Sequence, residues 1–253
     1  MNKILISFLL STIVCFWTSI SYANEKVYIV TEVSPPNQIL INDSVGGSST
    51  DIVRQIINEA RIDAEFSIFP WARAYHLAHK TPNTLIYSMA KTPEREQQFH
   101  WIGKVGLFRL GFVTLASRDD VSISTLDDAR RYRIAVQRDD VSALYLEEHG
   151  FATIHTTDIK QSYQLLLSGK VDVVIDDPNY MHSMAKQFNV ANNDLRFIMA
   201  VEELSVYGYL AANIDTDPAI LTRLQEAFNK VSASQWYTDK LTDPYAQIQA
   251  YDQ

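Results

Sequence analysis

The chain predicts an α/β fold in two similar lobes, each a β-sheet flanked by helices, and three observations predict it. Short β-branched runs alternate with stretches whose apolar residues recur at helical spacing. That alternation runs β-α-β-α-β once and then begins again further along the chain, which favours parallel sheets covered by helices. Two extended apolar stretches, 105-VGLFRLGFVTLAS-117 and 206-VYGYLAAN-213, bracket the second unit, where they carry the chain out of one lobe and back.

Residues 1–23 stand apart from this fold. Lys3 precedes the apolar run ILISFLLSTIVCFW, and Ser21-Tyr22-Ala23 forms a small-x-small cleavage site, so the segment reads as a signal peptide removed on export. An uncleaved anchor is the competing reading, although the run is marginal against the ~20 apolar residues a membrane span needs. Cleavage removes Cys15, the only cysteine, and leaves a thiol-free chain suited to an oxidising compartment such as a bacterial periplasm.

The mature elements follow in order. The run 27-VYIVTEV-33 reads as a strand stopped by Ser34-Pro35-Pro36. Gly46-Gly47 leads into a helix over 50–60, with Ile52, Val53, Ile56, Ile57 and Ala60 on one face and Ser49 or Thr50 as its cap. A strand at 64–69, a helix at 71–80 begun by Pro70, and a strand at 84–89 complete the first unit. The second unit places strands at 132–137, 152–155 and 171–175 between helices at 142–149, 159–168 and 179–188. A last helix starts at Asp217-Pro218 and buries Leu221, Leu224, Phe228 and Val231. The expected division is 24–109 for the first part of lobe 1, 110–204 for lobe 2 and 205–253 for the return to lobe 1.

Composition narrows the function. The mature chain carries 21 basic against 30 acidic residues, a net charge of −9, so it would repel a phosphate backbone and is not a nucleic-acid binder. No G-x-S-x-G, no Gly-rich phosphate loop and no mature cysteine nucleophile occur, and no catalytic residue is expected. His76 and His79 share a helical face without a third ligand nearby or an HExxH motif, so neither a metal nor a cofactor is expected.

The ordered set of Pro35-Pro36, 46-GGSSTDIV-53, 92-TPER-95, 125-TLDDARRYRIAVQ-137 and 168-SGKVDVVIDD-177 resembles the solute-binding proteins of family 3, across essentially the whole mature chain. The segments 70-PWARAY-75 and 92-TPEREQQFHWIG-103 mark a branch whose ligand the resemblance does not fix. The resemblance implies a two-lobed periplasmic-binding-protein fold of type II, a periplasmic location, and a monomeric receptor closing on a small polar solute, an amino acid or derivative. It also implies a membrane partner, either an ABC permease or a sensor. Members of this fold also include sensor inputs and dehydratases, so a sensor role or a lyase acting on a small carboxylic acid are the alternatives.

By resemblance, Arg95 pairs with a ligand α-carboxylate, a task suited to a planar, always-charged guanidinium. Thr92 belongs to the same motif, Asp177 takes the α-ammonium, and Trp71 offers an aromatic platform. Arg73 and Ser142 complete the expected binding set. The residues alone leave plainer readings open: Arg95 pairing with Glu94 or Glu96, Asp177 and Ser142 at helix starts, Trp71 in the core, Arg73 in solvent. Four positions depart from the family pattern. Asn37 replaces an aromatic, Ala90 a hydroxyl, and Asp139-Asp140 a Gly-Thr loop, and these acids weaken the case for a plain α-amino acid and leave room for a cationic, amidated or otherwise modified ligand.

Overall fold

The computed structural model describes residues 26–242, so the expected signal peptide lies outside the described residues. β1 (Val27–Thr31) is followed by a hairpin of β2 (Ile39–Ile41) and β3 (Ser44–Gly46), strands too short to leave a period in the sequence. α1 (Ser48–Ala60) starts earlier than its apolar spacing suggests, because Gly47, and not Ser49 or Thr50, is its N-cap. Gly47 has φ +103°, and a Cβ there would lie 2.5 Å from the Asn37 carbonyl oxygen, so only glycine fits this turn. Thr50, inside the first turn, donates to the Gly46 carbonyl at 2.6 Å and sits 2.8 Å from the Tyr87 hydroxyl.

β4 (Ala64–Ile68), α2 (Trp71–Lys80) and β5 (Thr84–Ala90) complete the first alternation, and the single turn α3 (Pro93–Glu96) leads into the 17-residue β6 (Phe99–Leu115). The second alternation comprises β7 (Ile134–Gln137), α4 (Val141–Glu148), β8 (Thr153–Thr156), α5 (Ile159–Leu167), β9 (Val173–Asp176) and α6 (Pro178–Phe188). β10 (Leu195–Asn213) then runs back beside β6, and α7 (Pro218–Ser232) and α8 (Gln235–Thr242) end the described chain.

All strands but the hairpin join one sheet in the order β4-β1-β5-β10-β6-β9-β7-β8. Each end is parallel, β4-β1-β5 on one side and β9-β7-β8 on the other, while β10 and β6 pair antiparallel between them. The register of that central pair breaks at several places, one between Ala200 and Ser205, so the ladder is interrupted there. Each half has its own core. Ile29, Ile52, Ile56 and Leu85 with Leu224 fill one face of the first half, and Trp71, Ile86 and Met89 the other. Phe112, Val136 and Leu146, and on the opposite face Tyr163, Leu166 and Val174, do the same for the second. Each large side chain so buried stabilises its half by ~1.5–3 kcal/mol. Among the described residues no helix is long and apolar enough to cross a membrane.

Candidate functional site

The carboxyl ends of the parallel strands in the two halves face one another, which is where α/β sheets leave a crevice for ligands. Glu32 follows the last residue of β1, Ser88 and Ala90 close β5, Gln137 ends β7 and Asp176 ends β9. These five, with Trp71 at the start of α2 and Asp140 and Tyr180 from the second half, line an inner chamber of about 60 Å³. An outer chamber of about 250 Å³ opens beside it, lined by Val33, Ile68, Phe69 and Pro70 on one side and Asp158, Lys160 and Gln187 on the other. Glu32, Ile159 and Met184 border both chambers.

Hydrogen bonds cross between the halves around this space. Gln137 Nε2 donates to Glu32 Oε2 at 2.5 Å, and Asn37 Nδ2 donates to the Tyr180 hydroxyl at 2.9 Å. Trp71 Nε1 and Arg95 Nη2 both donate to the carbonyl oxygen of Asp139, at 2.9 and 2.7 Å. Asp139 has φ +60°, a left-handed conformation that Asp tolerates, and this turn is the local reason its carbonyl is available to the opposite half.

The chamber is acidic. Burial pushes the Glu32 carboxyl up to about 8, and Asp140, Asp176 and Asp158 add repulsion that the Gln137 bond only partly offsets. Asp176, 3% exposed, is raised well above the usual carboxylate range by burial, although it accepts from the Tyr163 hydroxyl at 2.7 Å and the Asp177 amide at 2.8 Å. Asp140 caps α4, accepting from the Ser142 hydroxyl at 2.6 Å. Among the described residues no three His, Cys, Asp or Glu side chains are grouped to hold a metal ion. Ser88 has φ +61° within a strand, a conformation costing ~1–3 kcal/mol in a non-glycine residue. Gly208 of β10 passes so close that a Cβ there would lie 2.8 Å from Ser88 Cα, so that glycine admits the distortion.

Of the residues expected from sequence, Trp71 lines the inner chamber. Arg95 is 3% exposed and lies behind it, its Cζ 5.5 Å from the Trp71 ring and 5.2 Å from the Tyr75 ring, with Nη1 donating to the Ala90 carbonyl at 3.3 Å. Asp177 caps α6: Oδ1 accepts from the Asn179 amide at 2.8 Å and Oδ2 from the Arg109 amide at 2.7 Å, tying the helix to β6. Ser142 sits in the first turn of α4 against its cap, Thr92 is the N-cap of α3, and Arg73 stacks its guanidinium over Phe69, 4.5 Å from the ring centre. Sequence reasoning missed Glu32, Gln137 and Asp176. Their signal was position, the last residue of a β-branched run or the one after it.

This is a two-lobed α/β fold of the periplasmic-binding-protein type, with a cavity between its halves lined by carboxyl and apolar side chains. Solved structures agree over most of both chains. A histidine kinase sensor domain with similarity to periplasmic binding proteins superposes with a TM-score of 0.73 at 16% identity, covering 85% of this chain and 94% of its own. An ancestral arginine-binding protein bound to arginine has a TM-score of 0.73 at 17% identity, covering 87% and 98%. The arginine-, lysine- and histidine-binding protein ArtJ of Geobacillus stearothermophilus has 0.73 at 16%, covering 90% and 100%. No family model and no curated protein matches the sequence.

Proposed function

We propose that the protein is a periplasmic solute-binding receptor of the family 3 type, whose lobes close on a small polar solute and present the closed form to a membrane partner. The observation that carries this reading is the inter-lobe cavity at the carboxyl ends of both sets of parallel strands, bordered by hydrogen bonds from each half to the other. In this reading residues 24–109 with 205–253 move as one lobe and 110–204 as the other, about the two long central strands, in a hinge closure. Trp71, Glu32, Gln137, Asp140 and Asp176 touch the solute. Arg95 supports Trp71 and grips Asp139, Thr92 and Arg73 flank that lobe's contribution, and Asp177 and Ser142 hold the second-lobe helices in place. The partner is an ABC permease or a sensor kinase, and structural neighbours of both kinds support the pairing. The receptor acts as a monomer.

A lyase is the second reading, and Glu32 favours it, because a carboxyl held near neutral pH suits proton transfer. Incubating the exported protein with a library of amines, amino acids and small carboxylic acids separates the two. A receptor gives stoichiometric binding and a raised Tm with every solute recovered unchanged; product accumulating over many turnovers refutes the receptor reading.

A further inference from the structure

We propose, resting on the receptor reading above, that the solute is an aliphatic amine carrying no carboxylate, its ammonium held in the inner chamber and its methylene body lying in the outer one. Three observations carry this. Glu32, Asp140 and Asp176 all line the inner chamber, and no Lys, Arg or His among the described residues lines it with them. A ligand carboxylate placed there meets three carboxyl groups and no cation, whereas an ammonium offers them three donors and stabilises the ionised form that burial disfavours in Glu32 and Asp176.

The cation that would grip a carboxylate is engaged elsewhere. Arg95 donates to the Asp139 and Ala90 carbonyls and is stacked against Trp71 and Tyr75, outside the chamber wall. A carboxylate reaching it has to displace the Asp139 carbonyl, which is also the acceptor for Trp71 and so part of the contact between lobes. Behind the chamber, fully buried Gln38 donates to Ser88 Oγ and leaves its own Oε1 without a donor, a further acceptor on this side.

The outer chamber supplies the apolar half of the recognition. Val33, Ile68, Phe69 and Met184 offer surface for methylene groups, and Asp158 at the same opening accepts a second ammonium, beside Lys160.

The test is titration calorimetry of the exported protein with 1,4-diaminobutane, L-arginine and L-glutamate. The diamine is expected to bind about tenfold or more tightly than either amino acid, the effect of a single charged hydrogen bond gained or lost. Glu32→Gln and Asp140→Asn should each weaken it about tenfold with circular dichroism unchanged. Arginine binding as tightly as the diamine, or diamine affinity unchanged in both folded variants, overturns this inference and leaves the receptor reading standing. Failure of every solute in a broad screen to bind the folded protein removes the receptor reading, and the inference with it.

Discussion

Replacing Glu32 by glutamine should make the protein more stable, by a margin that grows as pH rises from 4.5 to about 8. The carboxyl is pushed from the ordinary 4.5 up to about 8, first by burial and then by the charges of Asp140, Asp176 and Asp158. The native state therefore keeps a proton that the unfolded chain has released. Stability must fall as pH rises between those two values, at ~1.4 kcal/mol per pH unit for one proton. Taken in full this amounts to ~5 kcal/mol; Glu32 is only partly buried, so solvent screening reduces it to roughly 2–3 kcal/mol. Glutamine keeps the shape, still accepts from Gln137 Nε2 through its Oε1, and does not ionise. The assay is thermal unfolding of both proteins across the range from about pH 5 to about pH 9. Their Tm values should coincide at the acidic end and separate by roughly 5–10 °C at the alkaline end, at ~2–4 °C per kcal/mol for a chain of this size. Asp176 titrates in both proteins and cancels in the comparison. A constant offset at every pH would refute the reasoning, since Glu32 would then titrate as an ordinary glutamate.

Other perturbations test the frame and the contact between lobes. Asp172 accepts from Arg133 through its amide and guanidinium at 2.9 Å and from Arg118 at 3.1 Å, which holds its carboxyl well below the usual range. That stabilisation is present above the ordinary aspartate value and is lost as pH falls through the folded one, so Asp172→Asn should cost ~2 kcal/mol at neutral pH and nothing in strong acid, read by denaturant melts. Gly47→Ala forces a side chain against the Asn37 and Pro36 carbonyls at positive φ, and should lower stability by ~2 kcal/mol or more; an unchanged midpoint would show that the turn relaxes freely. Trp71→Phe keeps an aromatic ring, though a smaller one, and deletes the Nε1 donor to Asp139, so lobe closure should weaken by ~1 kcal/mol, seen as a roughly fivefold faster solute release in stopped-flow fluorescence.

Periodicity and turn residues by themselves determined the alternating elements, the two-unit plan and the helix face of Leu221, Leu224, Phe228 and Val231, because those features depend on spacing along the chain. The same local signals show why Asp177 caps a helix, since Asp before Pro at a helix start satisfies backbone amides whatever the surroundings. Partners across the cleft were another matter. Glu32 and Gln137 are 105 residues apart, and Arg95 and Asp139 are 44 apart. No local rule states which carboxylate meets another, or that a left-handed turn at Asp139 offers its carbonyl to Arg95 and Trp71. Only the way the two halves of the one sheet face each other decided that the arginine meets a backbone oxygen while three acids share the chamber. Ionic and hydrogen-bonding character depends on neighbours in space, which the chain acquires only on folding.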